Sequence, residues 1–161
     1  MNRPLLIAVT LAACTGGEPS AQAAAPHAGQ SRFPVVCSLV TQAEVEKATG
    51  RKVVSMAPEN PRYPTASCKI AFSAESHVYV RFGPLAPAVS SAEELTRDLN
   101  QSAMTGGQWI ALPDLPAPAA ALKDIPIVIV KKGELRLEGT GFAASYDHTR
   151  AIMAIAARRL P

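Results

Sequence analysis

Residues 66–82 carry the pattern that most narrows what this chain can become. From Ala66 to Ser73 the side chains alternate, with Cys68, Ile70 and Phe72 on one side and Ser67, Lys69, Ala71 and Ser73 on the other. After Ala74-Glu75-Ser76 the alternation resumes, with Val78, Val80 and Phe82 on one side and His77, Tyr79 and Arg81 on the other. A period of two marks a strand with one covered face, and so short a link joins two such strands as an antiparallel hairpin. A hairpin with an apolar side needs something laid across it, so helices are expected to cover this one.

The flanking segments supply them. Thr41 and Glu44 form a Thr-x-x-Glu capping box, in which each side chain satisfies an amide of the other residue. Gly50 suits the position after a helix because it accepts a positive φ, and Leu39 or Val40 can staple against Val45. The spacing predicts a helix of about two turns, tied to the sheet through Cys37. Lys52–Met56 reads as a strand, and Ala57–Thr65, with three prolines, as an exposed loop. Ser90 and Ser91, each with Glu three residues on, offer overlapping capping boxes for a second helix. Its apolar face is Ala92, Leu95, Leu99 and Ala103, its polar face Glu93, Glu94, Arg97, Asp98 and Gln101, and it ends before Gly106-Gly107.

Gln108–Leu112 reads as a strand or a short connection around the single Trp, and Pro113–Asp124 as a connection with a helical turn at Ala119–Lys123. Ile127–Lys131 and Glu134–Glu138 are strands about a Lys132-Gly133 turn. Ile127-Val128-Ile129-Val130 is apolar on both sides, which predicts a central, covered strand. Asp147 is expected to cap a closing helix through about Arg159, with Ile152, Ile155, Ala156 and Leu160 inward and Arg158 and Arg159 near its negative end. The expected fold is a single α+β domain over residues 35–161, an antiparallel sheet of five or six strands with helices packed on it.

The first fourteen residues point to export. Met1-Asn2-Arg3 is a positive start, and the apolar run from Leu5 to Ala13 fits a signal peptide but is too short to span a bilayer. Leu11-Ala12-Ala13-Cys14 resembles the bacterial lipobox. That resemblance implies removal of residues 1–13, lipidation of the Cys14 thiol and acylation of its new amine, and two or three chains anchor stably. The competing reading is an ordinary cleaved signal ending Ala-x-Ala. With Thr15 after the Cys, a Gram-negative cell would send the protein to the outer membrane, facing the periplasm. Residues 14–34 read as lipidated Cys and flexible linker, because Thr15–Gln30 has no large apolar residue and no periodicity. Such a tether holds the domain on the order of 25 Å from the anchor and at most about 65 Å away. His27, alone in this linker, is given no role.

With Cys14 carrying lipid, the three cysteines leave one even pair. In an oxidising periplasm a Cys37–Cys68 disulfide is the default, closing a loop of about 30 residues and contributing about 3–4 kcal/mol. A redox or metal pair would want Cys-x-x-Cys spacing or a nearby His, and neither is present.

Cys37, Leu39, Val40, Thr41, Ala43, Glu44, Val45 and Gly50, with Cys68 following in a strand, resemble the opening of small bacterial lipoproteins of unknown function. The strand pair about Lys132-Gly133 and the Ala-rich closing helix also look like that group. Several of its members resemble the PsbP-type sandwich, an antiparallel sheet between helices. Where they carry Gly-Leu-Gly-Asp before the late strands, this chain has Pro113-Asp114-Leu115-Pro116. The resemblance brings no catalytic residues.

Chemistry-bearing patterns are few. The sequence has no Gly-rich phosphate loop, no His-Glu-x-x-His and no Gly-x-Ser-x-Gly. A formal charge of +3 without a basic cluster argues against nucleic acid as a partner. Asp147-His148 sits at a helix start, where capping is the plain explanation. Tyr63 in its Pro-rich loop, Trp109 beside Gly106-Gly107, and His77 are the candidate binding residues, because aromatics in loops and on strand faces make contacts. The expectation is a lipid-anchored envelope protein presenting a non-catalytic binding domain, without cofactor or metal. Its partners would be the membrane through Cys14 and an envelope protein or a small apolar ligand. Two alternatives stand beside it: a periplasmic carrier with an apolar cleft near Trp109 and Pro113–Asp124, and an envelope hydrolase using His77, Tyr79 and Arg81.

Overall fold

The computed structural model of the protein describes residues 34–63, 65–102 and 107–161. The expected signal peptide, Cys14, the expected linker with His27, and Pro64, Ala103 and Gly106 lie outside the described residues. A 3-10 turn, Val36–Leu39, leads into α1, Gln42–Thr49, then strands β1, Ser55–Ala57, β2, Ser67–Ala71, and β3, His77–Phe82. Helix α2, Ala92–Gln101, precedes β4, Trp109–Ala111, β5, Ala119–Leu122, β6, Ile127–Lys132, and β7, Leu135–Phe142, and α3, Tyr146–Arg158, closes the chain. All strands pair antiparallel in one sheet of order β1-β2-β3-β7-β6-β5-β4. The fold is α+β, but the sheet has seven strands rather than five or six.

The additional strand is β5. Ala119–Leu122 had the composition of a helical turn, yet all four residues are buried within the sheet. Covered on both sides, this strand shows no alternation, and its alanines let helices approach closely. Gln108–Leu112 resolves into the short strand β4 at the sheet edge. Strand β7 also runs four residues beyond Glu138, the end expected from sequence. Gly139 and Gly141 mark where α3 lies against the sheet. A Cβ at Gly139 would fall 2.6 Å from Met153 Cγ, and one at Gly141 would fall 2.7 Å from Thr149 Oγ1.

The front face of the sheet is roofed over most of its width, with Ile110 at the β4 edge left exposed. Cys68, Ile70, Val78, Val80, Val128, Val130 and Leu137 meet Val36, Leu39 and Val45 from one end of the chain and Ile152, Met153 and Ala156 from the other. The Cys37–Cys68 disulfide, across 31 residues, ties the 3-10 turn to β2 with a Cα–Cα distance of 5.0 Å. Both halves of the expected capping box form at α1, and Gly50 takes φ 68°. Arg159 then clamps the two terminal helices, donating to Glu44 Oε1 at 2.6 Å and Oε2 at 2.9 Å and to the Leu39 carbonyl. The Thr41 hydroxyl, and after it Arg159, hold the Glu44 carboxyl below its ordinary pKa. At α3 the cap is Ser145, whose hydroxyl accepts from the His148 N–H; Asp147 sits in the first turn. Asp147 was the expected cap, but a serine two residues earlier reaches the first free amides better, and Asp147 there still favours the positive end of the helix.

The back face is roofed over only part of its width. Helix α2 lays Leu95 on Trp109, Ala120, Leu122 and Ile129, with Val89, Leu99 and Ile127 at the margin. Ser91 caps this helix, and Ser90 donates from its N–H and hydroxyl to Glu94 Oε2. Asn100 fastens α2 to the sheet edge: Trp109 N–H donates to its Oδ1 at 2.9 Å, and its Nδ2 donates to the Trp109 carbonyl at 3.2 Å. Among the described residues no helix covers the back of β2, β3 and the far end of β7.

Candidate functional site

That uncovered half-face is where the hairpin alternation delivers its polar set. Strand β3 turns His77, Tyr79 and Arg81 to the back while Val78 and Val80 fill the front core. Register with β7 pairs His77 with Phe142, Tyr79 with Thr140 and Arg81 with Glu138, and register with β2 pairs Lys69 with Tyr79. Side chains directly opposite across a strand pair touch, and the result is two adjoining clusters.

The first is aromatic. His77 stacks on Phe142 with centroids 5.0 Å apart at 22°, and Tyr79 meets His77 at 4.9 Å and Phe142 at 5.6 Å, both edge-on. Lys69 Nζ stands 5.6 Å over the Tyr79 ring, a cation–π contact. Phe142 is 50% exposed, so a large apolar ring faces water at the end of the central strand β7. His77 Nδ1 is buried without a hydrogen-bond partner. Burial, and then the charge of Lys69, push the His77 pKa below its ordinary value. The imidazole is therefore neutral at neutral pH and behaves as a third ring of the cluster.

The second is ionic. Arg81 donates to Glu138 Oε1 at 2.7 Å, and Arg136 approaches Glu138 Oε2 at 3.5 Å. Between the clusters lies a hollow of about 180 Å³ lined by Glu59, Tyr79, Arg81, Thr140 and Phe142. Aromatic rings on rigid strands beside a satisfied ion pair form a surface suited to hold a partner's side chain by stacking and contact.

The three sequence candidates fare differently. His77 stands on this face, as the alternation implied. Tyr63 is 64% exposed in the loop before β2, within turns from Asn60 to Ala66. Trp109 is 4% exposed and belongs to the core under α2, so it is not a surface contact. Beside Trp109 the expected cleft is filled by Leu95, Leu122 and Ile129, whereas at the Pro113–Asp124 segment a hollow of about 300 Å³ opens against the start of α2, with Leu112, Pro113, Leu115 and Pro116 in its lining. Sequence reading missed Thr140 and Phe142, because it ended β7 at Glu138; continuing the alternation through the glycines would have found both. His77, Tyr79 and Arg81 do share one face, but His77 is stacked on Phe142 and Arg81 is held by Glu138.

Among the described residues no group of three or more His, Cys, Asp or Glu could hold a metal ion, and no helix is long and apolar enough to cross a membrane. Compared with protein-family models, curated proteins and solved structures, the chain matches none.

Proposed function

We propose that this protein is a lipid-anchored envelope protein, held through Cys14, that presents a non-catalytic binding domain on a tether and docks an envelope protein on its open half-face. The observation that carries this reading is the trio His77, Tyr79 and Phe142, three rings in mutual contact on the half-face that no described helix covers, with Phe142 50% exposed. Burying those rings supplies the affinity, and Lys69 and Arg81 favour a partner that offers an apolar side chain flanked by a carboxylate. The lipobox and linker support the anchoring part, as does the resemblance to small bacterial lipoproteins.

The test places a photo-cross-linking residue at Tyr79, Phe142 or, as control, the exposed Lys47 of α1 in the full-length protein in its own envelope. The expected result is one discrete product from positions 79 and 142, none from 47, and loss of product with Cys14→Ser. Excess soluble domain should compete, and the Tyr79→Ala/Phe142→Ser form should not. Equal products from all three positions, or none, would overturn the docking reading. An unmodified Cys14 in the mass of the mature protein would overturn the anchor.

A further inference from the structure

Under the edge of α2, β6 and β7 set two cations directly opposite each other. Lys131 pairs in register with Arg136, and like charges facing across a strand pair repel. Lys131 is 4% exposed, and its ammonium, with three donors to place, has one acceptor, the Pro87 carbonyl. It forms no ion pair among the described residues. Arg136 is similarly short of partners: its Nε is buried with none, and its terminal nitrogen reaches Glu138 only at 3.5 Å. A buried donor left unmade is costly, and here donors from two cations converge on one place.

A cleft of about 270 Å³ opens beside them, walled by Ala86, Pro87, Leu95 and Leu99. Asp98 and Ser102, from the last turn of α2 and just beyond it, also line it. Burial pushes the Lys131 pKa down; Asp98 and Glu94 on α2 pull it back up, and the facing Arg136 pushes it down again. Among the described lining residues the two cations thus face a single carboxylate, Asp98.

We infer that this cleft binds a small amphipathic carboxylate, its carboxyl group between Lys131 and Arg136 and its apolar end against Leu95 and Leu99. The carboxylate oxygens would accept from the Lys131 ammonium and the Arg136 guanidinium, and the apolar wall selects against bare anions. The site is separate from the open half-face and stands or falls independently of the docking proposal.

The test titrates octanoate into the full chain carrying Cys14→Ser, followed by calorimetry and thermal melting, with octanol and inorganic phosphate run alongside. Octanoate is expected to bind and raise Tm, and each comparison ligand to bind at least about tenfold more weakly. Lys131→Met, which keeps the stem and removes the buried charge, should fold with unchanged or higher Tm and lose octanoate binding by about tenfold or more. Asp98→Asn should tighten octanoate severalfold by removing the competing carboxylate. Octanol binding as well as octanoate would reduce the site to an apolar cleft, and phosphate matching octanoate would reduce it to a bare anion site; either overturns the inference. So does no binding at all, or a Lys131→Met protein that melts lower yet binds octanoate normally, which would make the lysine a strut for the Pro87 segment.

Discussion

The two halves of the back face are made by one continuous sheet, yet they answer opposite demands. Under α2, positions 109, 120, 122 and 129 are Trp, Ala, Leu and Ile, all buried. Across β2, β3 and the far end of β7, the equivalent positions are Lys69, His77, Tyr79, Arg81, Thr140 and Phe142, and no described helix lies over them. The front core is continuous beneath both halves, so the open half does not owe its exposure to a weak sheet. The fold can hold rigid strands while leaving one side of them free, and the side chains it leaves there include three interlocked rings.

The comparison is broken most severely on the covered half. Trp109→Ala should lower stability by about 3–5 kcal/mol in urea unfolding followed by circular dichroism, because it empties the centre of the α2 interface. If the loss is under about 1 kcal/mol, that interface is not a core. The next largest effect comes from the front of the open half, where the Cys37–Cys68 bond holds the 3-10 turn onto β2. Cys37→Ala with Cys68→Ala should cost about 3–4 kcal/mol on the chain-entropy account, read from the same urea curves.

On the open half itself, Tyr79→Ala or Phe142→Ala should shift stability by about 1 kcal/mol or less while removing the position-specific cross-link. A stability loss like that of Trp109→Ala would show these rings to be core after all. The smallest effect is the pH response of His77. Its pKa in the folded state lies below that of the unfolded chain, so the unfolded state binds the proton first. The stability contributed by the neutral ring is full above about pH 6.5 and is lost as pH falls through the folded value. His77→Phe, facing the same Lys69, Ala71, Tyr79 and Phe142, should flatten the dependence of Tm on pH between about 7.5 and 5. An identical slope in both proteins would remove His77 as its source.

Sequence patterning disclosed the open half better than the covered one. Alternation through residues 77–82 places His77, Tyr79 and Arg81 on one side because that strand has one wet face, the case in which a period of two survives. Beneath α2 the period vanishes: Ala119–Leu122 is buried throughout, and only its neighbours β4 and β6 distinguish it from a helical turn. The glycines of β7 hid Phe142 for a related reason. Their lack of a side chain is a response to Met153 and Thr149, residues of α3 that become neighbours only after folding. Lys131 was equally opaque, since a lysine at the end of an apolar run reads as an exit to solvent until α2 and the Pro87 segment close over it. Capping, by contrast, is written within three or four residues, and the Thr41–Glu44 box formed as spelled.

The clasp of Asn100 on Trp109 also bears on self-association. The main-chain groups of Gln108 and Leu112 turn inward to β5, leaving residues 109 and 111 to face outward, and the Asn100 amide occupies those of residue 109. A single side chain thereby stands in for the next strand at residue 109 and hinders an incoming chain at β4. Two copies could still join through β1, but such a pair would have only this hindered margin from which to grow. Runaway polymerisation by strand addition is hindered at one end of the sheet, a useful property if the anchor proposed above crowds many copies onto one membrane.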